Sequence, residues 1–406
     1  MDNKHLYIDI FAGCGGLSLG LHESGWAGLF AVEKSPDAFK TLQHNLINTH
    51  KHFCWVDWLA QKEHDIYEII EKNTQNLTAL QGKIALVVGG PPCQGFSMAG
   101  KRAENDIRNN LVMAYVHFID LVKPKLLLFE NVKGFTFSFN KNPSSYADIV
   151  KEELRKIGYT VESKIIDFSN YGIPQRRNRF IMVGKQEGLD IDLKGFYSLL
   201  DTEKTPFLKE KNIHEKVNIA EALSDLCQKW GTNPSPDTPS FEAGLYGKEN
   251  SDYQKLMRNG TALAGKVADS HRFVHHTAET TLLFKQLLQD APKNKRIDGD
   301  ARKPYNLKRR GITLLAADNL SPTITTTPDD YLHYCEPRVL TVREYARLQS
   351  FPDWYEIKGK YTTGGVLRTK EVPRYTQLGN AIPPLFGELA GRVLKKMLDE
   401  YGNTSF

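Results

Sequence analysis

Cys93 is the side chain in this sequence that is best placed for covalent chemistry. It lies in LVVGGPPCQGFS at 86–97, where an apolar run ends and Pro91 and Pro92 stiffen the chain before a loop. Free cysteines are mostly buried, so a cysteine presented on a loop is unusual. A thiolate is a strong nucleophile when cationic neighbours favour it, which makes Cys93 a candidate nucleophile. A structural thiol is the alternative.

Two further segments carry groups for acid–base and anion chemistry. Glu130 ends the apolar run of LLLFENVKG, and a carboxyl with apolar surroundings can hold a proton and donate it. An exposed carboxylate at a strand end is the alternative. Arg177 and Arg179 in QRRNRF are two residues apart, which predicts that they share one face of a strand. Two guanidinium groups on one side can hold a phosphate, a carboxylate or a carbonyl oxygen.

A glycine turn and a later carboxylate predict a nucleoside-containing cofactor. Gly13 and its neighbouring glycines in FAGCGG allow a tight turn and close approach of a ligand. Glu33 lies 20 residues after Gly13, where a carboxylate can accept both hydroxyls of a ribose. Ser18 replaces the third glycine of the dinucleotide fingerprint, so S-adenosylmethionine fits better than NAD. Asp57 could bond the adenine amino group, or it could cap a helix or lie in a loop. A plain strand–helix turn is the alternative reading of the glycines.

The elements that must position these residues alternate along the first part of the chain. Short apolar runs at Leu6–Ile10, Ile84–Val88, Leu126–Phe129 and Phe180–Val183 are typical of buried parallel strands. Between them, helices are predicted near 17–24, 36–47, 110–122 and 146–157. This alternation predicts an α/β fold with a doubly wound, mostly parallel sheet, which binds ligands at the carboxyl ends of its strands.

A different pattern follows from about residue 188. Pro, Asn, Thr and Ser become frequent, strand periodicity is poor, and regular signals return only at 338–353 and 377–398. We therefore predict a cofactor-binding catalytic domain at 1–187, a smaller loop-rich recognition domain at 188–375, and a segment at 376–406 that returns to the first domain.

Composition excludes several classes of protein. The 406 residues are 40% hydrophobic and 25% charged, which is typical of a globular chain and not of a disordered or collagen-like one. No apolar stretch approaches the roughly 20 residues needed to span a bilayer, and no secretory pattern opens the sequence. Five widely spaced cysteines fit a reducing cytoplasm. No two of them stand two to four residues apart, so no zinc module and no metal are expected.

Positive charge is concentrated in one window. The net charge is +5, and residues 291–310 hold eight Lys or Arg and two Asp, a net of 8 − 2 = +6. Lys308, Arg309 and Arg310 end this window. Such a cluster suits contact with nucleic-acid phosphates, and a solvated loop is the alternative.

Taken together and in this order, these motifs resemble the cytosine-5 DNA methyltransferases of the bacterial restriction-modification type. The resemblance rests on FAGCGG, Glu33, GGPPCQGFS, ENV, QRRNR, RVLTVREYARLQSFPD and GNAIPP, within residues 5–187 and 321–395. It implies transfer of a methyl group from S-adenosylmethionine to carbon 5 of cytosine in double-stranded DNA. The interval of roughly 188–320 corresponds to the family's variable target-recognition region.

The resemblance also implies roles for individual residues. Cys93 would add to carbon 6 of a flipped-out cytosine, and Glu130 would contact N3 and the amino group. Arg177 would lie near the carbonyl side of the base and Arg179 would orient it. Residues 94–101 would form a mobile loop, in which Gln94 fills the vacated space and Ser97 meets backbone phosphate.

For the cofactor, the resemblance implies a binding set of eight residues. They are Phe11, Gly13, Gly15, Glu33, Asp57, Gly90, Pro91 and Asn380. Lys34 departs from the apolar or aromatic residue that is common in the family, so Phe11 or Trp58 would have to stack on adenine. The resemblance further implies a monomer and a possible cognate restriction endonuclease that acts on the same site.

Three other readings are compatible with the same fold. A nicotinamide-dependent oxidoreductase is disfavoured by Ser18 and by the cysteine loop. Methylation of cytosine in RNA is disfavoured by the long recognition interval. A non-catalytic DNA-binding relative would have lost Cys93 or Glu130, and both are present.

Overall fold

The structure is a computed structural model that describes residues 5–92, 109–139, 142–308, 311–362 and 371–404. The chain forms two compact units. Unit 1 comprises Met1–Asp167, Asn178–Pro206 and Phe386–Phe406, and unit 2 comprises Phe168–Arg177 and Phe207–Leu385. Unit 2 thus takes up a short segment at Phe168–Arg177 as well as most of the later chain. The functional division at 187/188 and 375/376 stays a prediction.

Unit 1 is built on a six-stranded sheet with the strand order β2-β1-β3-β4-β8-β7. Its strands are β1 (Leu6–Ile10), β2 (Ala27–Val32), β3 (Leu86–Gly89), β4 (Leu126–Val132), β7 (Tyr159–Asp167) and β8 (Asn178–Gln186), while β5 (Ser138–Phe139) and β6 (Asn142–Ser145) form a separate hairpin. Strands β1 to β4 pair in parallel, and β8 is antiparallel to both β4 and β7.

The antiparallel direction of β8 corrects the prediction of a parallel strand at Phe180–Val183. Between β7 and β8 the chain makes only a short 3-10 turn at Phe168–Tyr171 as regular structure. A parallel neighbour needs a crossover of a dozen or more residues, usually a helix, whereas an antiparallel return does not.

Helices cover the sheet of unit 1 and account for the four predicted ones. They are α1 (Gly16–Glu23), α2 (Pro36–Leu42), α3 (Ile66–Lys72), α4 (Thr74–Thr78), α5 (Asn109–Val122), α6 (Tyr146–Lys156) and α7 (Leu193–Glu210, which runs on past the unit boundary). Helix α2 continues as a π-helix over Gln43–Thr49. Apolar side chains of β1, β3, β4, α5 and α6 form one buried cluster.

The last helix of the chain completes unit 1. This helix is α13 (Pro384–Thr404), and it is preceded by α12 (Arg374–Asn380) in unit 2. A Cβ on Gly20 of α1 would lie 2.5 Å from the backbone of Gly387 and Glu388, so the two helices meet backbone to backbone. Trp26 donates its indole N–H to the carbonyl of Gly391 at 2.9 Å. The return of the chain end to the first domain was predicted for residues 376–406.

Unit 2 contains short elements separated by long connections. Its helices are α8 (Ile219–Leu223), α9 (Asp252–Arg258), α10 (Ala278–Asp290), α11 (Val342–Leu348) and α12, and its strands are β9 (Thr232–Pro234), β10 (Glu242–Leu245), β11 (Val267–Arg272), β12 (Arg296–Ile297), β13 (Ile312–Leu314) and β14 (Tyr331–Leu332). The strands form two three-stranded sheets.

Buried ion pairs hold α11 inside unit 2. Arg347 donates to Asp225 and Asp353, and Arg343 donates to Asp269, with both guanidinium groups fully buried. Both arginines therefore anchor α11 to other parts of unit 2. Within the described residues, no helix is long and apolar enough to cross a membrane.

Candidate active site

The turn between β1 and α1 is built from residues with left-handed backbone. Phe11, Gly13 and Gly15 have φ values of 63°, 57° and 86°. A non-glycine residue with positive φ is uncommon, and such backbone strain concentrates at ligand sites. A Cβ at Gly13 would have no atom within 4 Å, so open space adjoins this turn. Phe11 packs its ring partly against the core of unit 1.

Glu33 follows β2 and holds the turn in place. Its carboxylate accepts the backbone N–H of Gly13 at 2.9 Å and that of Ser35 at 2.7 Å. Burial raises the pKa of Glu33, and the backbone hydrogen bonds oppose this shift. A carboxylate has about four acceptor positions, so Glu33 can accept further hydroxyl donors while it fixes the turn.

Asp9 is a buried carboxylate that the sequence analysis missed. It lies in β1, and Ser18 of α1 donates its hydroxyl to it at 2.5 Å. The pKa of Asp9 is raised to about 7, mainly by burial; the hydrogen bond from Ser18 opposes this shift and the charge of Glu33 adds to it. Ser18, which occupies the place of the third fingerprint glycine, therefore has a partner within the fold. The available signal was a charged residue inside the apolar run LYIDI.

Asp57 and the candidates for adenine stacking lie beyond β2. Asp57 is exposed in a turn. Trp58 is half-buried and packs edge-on against Phe30. The side chain of Lys34 is mostly exposed and pairs with Asp65 at 2.7 Å. Phe11 and Trp58 both remain candidates for the stacking role.

Glu130 and Arg179 form an ion pair on adjacent strands of unit 1. Arg179 Nε lies 2.9 Å from Glu130 Oε1, and each side chain is only 11% exposed. Strand β4 supplies Glu130, strand β8 supplies Arg179, and Val132 faces Arg179 in their register. Desolvation lowers the pKa of Arg179, and the Glu130 charge opposes this shift. The pair places a carboxylate and a planar donor group side by side at the end of β4.

The chain leaving β3 is held against this pair. A Cβ on Gly90 would lie 2.9 Å from Glu130 Oε2, so only glycine leaves the carboxylate undisturbed there. Asn131 Nδ2 donates to the carbonyl of Pro91 at 3.3 Å. Asn131, the residue after Glu130, thus holds the backbone at Pro91, two residues before Cys93 in the sequence.

Arg177 belongs to unit 2 and is not on the same strand as Arg179. Strand β8 begins at Asn178, so the predicted shared strand face is wrong. Arg177 is buried, and its guanidinium donates to the carbonyls of Gly379 and Ala381 at 2.8 and 3.1 Å. Two-residue spacing alone does not reveal these partners, which lie about two hundred positions along the chain.

The neighbouring Gln175 makes the same kind of contact. It is fully buried, accepts the N–H of Ile324 at 3.0 Å and donates to Gln349 at 2.9 Å. The motif QRRNR therefore joins 321–327 to the end of α11 within unit 2. Two hydroxyls of 321–327 bond within the fold: Thr323 donates to the carbonyl of Arg176, and Thr325 donates to Asp330.

The remaining predicted positions are dispersed or not described. Asn380 is exposed at the end of α12 in unit 2, and Lys308 is exposed in the same unit. Within the basic window, Arg296 pairs with Asp298 and Asp330, and Lys303 pairs with Asp300. Cys93, Gln94, Ser97, Arg309 and Arg310 lie outside the described residues.

Cys14, a second cysteine beside the glycine turn, is unsuited to nucleophilic chemistry. It is buried, and burial raises the pKa of its thiol to about 12. A thiolate is the reactive form of cysteine, so Cys14 does not compete with Cys93 for that role.

Comparison with known proteins decides the family. A sequence profile described as C-5 cytosine-specific DNA methylase matches residues 6–396. The chain belongs to this family. It is a DNA (cytosine-5-)-methyltransferase, and it has the fold of S-adenosylmethionine-dependent methyltransferases.

Relatives of this C-5 cytosine methylase match along most of its length. The Type II methyltransferase M.DdeI of Desulfomicrobium norvegicum is 30% identical, over 95% of this chain and 88% of the relative. M.XorII of Xanthomonas oryzae is also 30% identical, over 96% and 84%. A crystal structure described as a DNA modification methyltransferase encoded within an E. coli prophage has a TM-score of 0.65 and 23% identity, covering 97% of this chain and 99% of that one. This last likeness concerns the fold.

The residues at the carboxyl ends of β1 and β2 fit the methyl donor of the family. The open space beside Gly13 leaves room for a ligand against the backbone, and the half-buried Glu33 offers acceptors for hydroxyl groups. This is the edge of the sheet at which such folds bind ligands. A nicotinamide-dependent oxidoreductase is excluded by the family.

Proposed function

We propose that this methyltransferase modifies one cytosine within a specific double-stranded DNA sequence, through a covalent Cys93 adduct on a flipped-out base. We further propose that it is the modification enzyme of a restriction-modification system. The relatives named Type II methyltransferases support the second part. A cognate endonuclease for the same site and a monomeric state belong to this proposal.

The observation that carries the proposal is the contact between the chain leaving β3 and the Glu130–Arg179 pair. Gly90 abuts Glu130, and Asn131 holds the carbonyl of Pro91. Cys93 is three residues beyond Gly90, and three extended residues span at most about 11 Å. This short connection supports our assignment of the Cys93 thiol to a base that contacts the carboxylate.

The chemistry that we assign to this arrangement begins with addition. Carbon 5 of cytosine is a poor nucleophile until the Cys93 thiolate bonds to carbon 6 and moves electron density to carbon 5. Glu130 contacts N3 and the amino group, and Arg179 orients both the carboxylate and the base. Arg177 acts as a positioning residue, since it holds the carbonyls of Gly379 and Ala381.

Carbon 5 would then bond to the methyl group that S-adenosylmethionine supplies, and the bond between that methyl group and sulfur would break to leave S-adenosylhomocysteine. Loss of the carbon 5 proton to water re-forms the double bond and expels the Cys93 thiolate, leaving 5-methylcytosine. The base must leave the duplex for this chemistry, at a cost of a few kcal/mol. Gln94 and Ser97 are assigned to the vacated space and to backbone phosphate.

S-adenosylmethionine supplies an electrophilic methyl group on its sulfonium. We assign the ribose to Glu33, the adenine amino group to Asp57, and the pocket walls to Phe11, Gly13 and Gly15. Gly90, Pro91 and Asn380 complete the proposed set.

Contact with the DNA backbone is assigned to the end of the basic window. Exposed Lys308 and the adjacent Arg309 and Arg310 would neutralise phosphates, so binding should weaken steeply with salt. A flat salt response would remove these residues from the proposal without affecting the chemistry.

The decisive experiment is Cys93→Ser, with Cys54→Ser as the matched control because Cys54 is an exposed cysteine outside the proposed machinery. Release of tritium from carbon 5 of labelled cytosine in duplex DNA measures turnover. We expect no release with Cys93→Ser, full release with Cys54→Ser, and unchanged S-adenosylhomocysteine binding in both. Turnover by Cys93→Ser would defeat the assignment.

A second measurement tests the adduct and the substrate class. Duplex DNA with 5-fluorocytosine at the modified position should trap a covalent complex through residue 93. An equivalent RNA should trap none. Bisulfite sequencing of DNA from cells that express the protein identifies the target sequence in advance.

A further inference from the structure

Three metal-ligating side chains meet in unit 2, outside every motif assigned above to the reaction. They are Cys227, His333 and Cys335, and one donor atom from each lies within 4.8 Å of the other two. Cys227 follows the 3-10 turn Ser224–Leu226, whereas His333 and Cys335 follow β14. Two segments of unit 2 that are distant in sequence thus place sulfur and nitrogen ligand atoms close together.

The spacing of these atoms suits a tetrahedral metal ion. Cys335 Sγ lies 3.7 Å from His333 Nδ1. With zinc–sulfur bonds of about 2.3 Å and zinc–nitrogen bonds of about 2.0 Å, tetrahedral geometry separates sulfur and nitrogen by about 3.5 Å. Closure around an ion therefore needs side-chain shifts of less than about 1 Å.

The orientation of His333 supports the same conclusion. The ring is fully buried, and the backbone N–H groups of Cys335 and Glu336 point at Nδ1 from 3.3 and 3.2 Å, so Nδ1 carries the lone pair. Nε2 faces the buried carboxylate of Glu344 at 3.5 Å. A carboxylate behind the second ring nitrogen is the arrangement that orients metal-binding histidines in proteins.

The carboxylate itself is rigidly held. Arg338 donates to both oxygens of Glu344, at 2.9 and 2.7 Å, and Glu344 also caps α11 through the N–H of Thr341. The fold thus fixes Glu344, whose carboxylate lies 3.5 Å from Nε2 of His333, while Nδ1 of the same ring lies 3.7 Å from Cys335 Sγ. Cys335 is solvent-exposed, which leaves an access route and room for a water ligand.

We propose that Cys227, His333 and Cys335 bind one Zn²⁺ ion, with a solvent molecule as the fourth ligand. Two thiolates and one imidazole form a ligand set that Zn²⁺ favours. Both thiols release their protons to solvent as the zinc–sulfur bonds form, and no oxidant or reductant is required. The ion would link Cys227, after the 3-10 turn Ser224–Leu226, to the segment after β14 and would thereby stabilise unit 2. Spacing between cysteines did not reveal this site, because Cys227 is more than a hundred residues from His333 and Cys335.

Metal content and cobalt substitution test the proposal on the full chain. Protein purified without chelators should contain about one zinc per chain. Replacement of zinc by Co²⁺ should produce sulfur-to-cobalt charge-transfer absorption in the near ultraviolet. Cys335→Ser, at an exposed position that folding tolerates, should weaken the band and lower Co²⁺ affinity at least about tenfold, whereas Cys54→Ser should leave both unchanged.

A chelator provides the stability readout. It should lower the melting temperature of the wild type and of Cys54→Ser, and leave that of Cys335→Ser unchanged. Cys335→His, which restores a nitrogen ligand, should regain zinc.

Zinc that stays substoichiometric, or a cobalt spectrum that is identical in Cys335→Ser, would overturn the proposal. An intact mass lower by two hydrogens and restored by reductant would overturn it in favour of a Cys227–Cys335 disulfide.

Discussion

The Glu130–Arg179 ion pair allows a quantitative test of how the site is held together. Replacing Arg179 by Met keeps an apolar stem but leaves Glu130, whose side chain is 11% exposed, without its guanidinium. Removing one partner of a buried pair costs about 3–5 kcal/mol, because the remaining charge is desolvated and uncompensated. Since both groups retain some solvent contact, we expect a loss near the lower end, about 3 kcal/mol in the free energy of unfolding.

A double-mutant cycle separates the pair from the loss of packing. In Glu130→Gln the charge is absent, so adding Arg179→Met should cost about 1 kcal/mol, which implies a coupling of about 2 kcal/mol. Urea unfolding of the four proteins measures this energy. The exposed pair Arg155–Glu152, with both side chains 57% exposed, is the matched control. Its cycle should give less than about 1 kcal/mol.

The same variants report on the reaction. Arg179→Met should lose methyl transfer while it retains S-adenosylhomocysteine binding, because Glu130 is no longer oriented. If the cost of Arg179→Met is the same with and without the Glu130 charge, the two groups are not coupled and the reasoning fails.

Three further predictions concern unit 1. Gly20→Ala should lower the free energy of unfolding by about 2 kcal/mol, because the added Cβ would lie 2.5 Å from the backbone of α13. The control Glu23→Ala, at an exposed position of the same helix, should have little effect. Equal melting temperatures for the two variants would refute the close packing of α1 on α13. Asp9→Asn should change how stability depends on pH. The folded pKa of Asp9 is raised from 3.8 to about 7, so its contribution to stability is present below pH 3.8 and lost as pH rises through 7, by up to about 4 kcal/mol. Urea unfolding of Asp9→Asn should lack this loss and that of exposed Asp57→Asn should retain it, and parallel pH profiles for wild type and Asp9→Asn would contradict the burial argument. Glu33→Gln should weaken S-adenosylhomocysteine binding about tenfold or more, as measured by calorimetry. An amide has only one acceptor oxygen, and its NH2 group would face the backbone N–H of Gly13 or Ser35. Unchanged affinity would remove Glu33 from the cofactor site.

Local patterns predicted the elements that carry the site, and long-range contacts account for what they missed. Apolar runs ending at Ile10 and Phe129 located two strands and placed Glu130 directly after the second run. The direction of β8 depends on the length of a connection, which apolar periodicity does not contain.

Local sequence patterns also do not predict the hydrogen-bond partners of buried polar residues. Two-residue spacing grouped Arg177 with Arg179, yet the partners of Arg177 are the carbonyls of Gly379 and Ala381, about two hundred positions away. Asp9 and Ser18 are nine residues apart and belong to different elements, so neither a strand nor a helix pattern pairs them. The order of motifs along the chain predicts which functional residues lie at strand ends. It does not predict hydrogen bonds between loops that are distant in sequence.

The closing of unit 1 by α13 has a consequence for biosynthesis. The helix that covers Gly20 and bonds Trp26 is encoded after the whole of unit 2. While a ribosome is still translating residues 207–385, α1 has one face without its partner. The enzyme can therefore mature only once its carboxyl-terminal helix has emerged from the exit tunnel, and a nascent chain that stalls earlier would remain a target for chaperones and proteases.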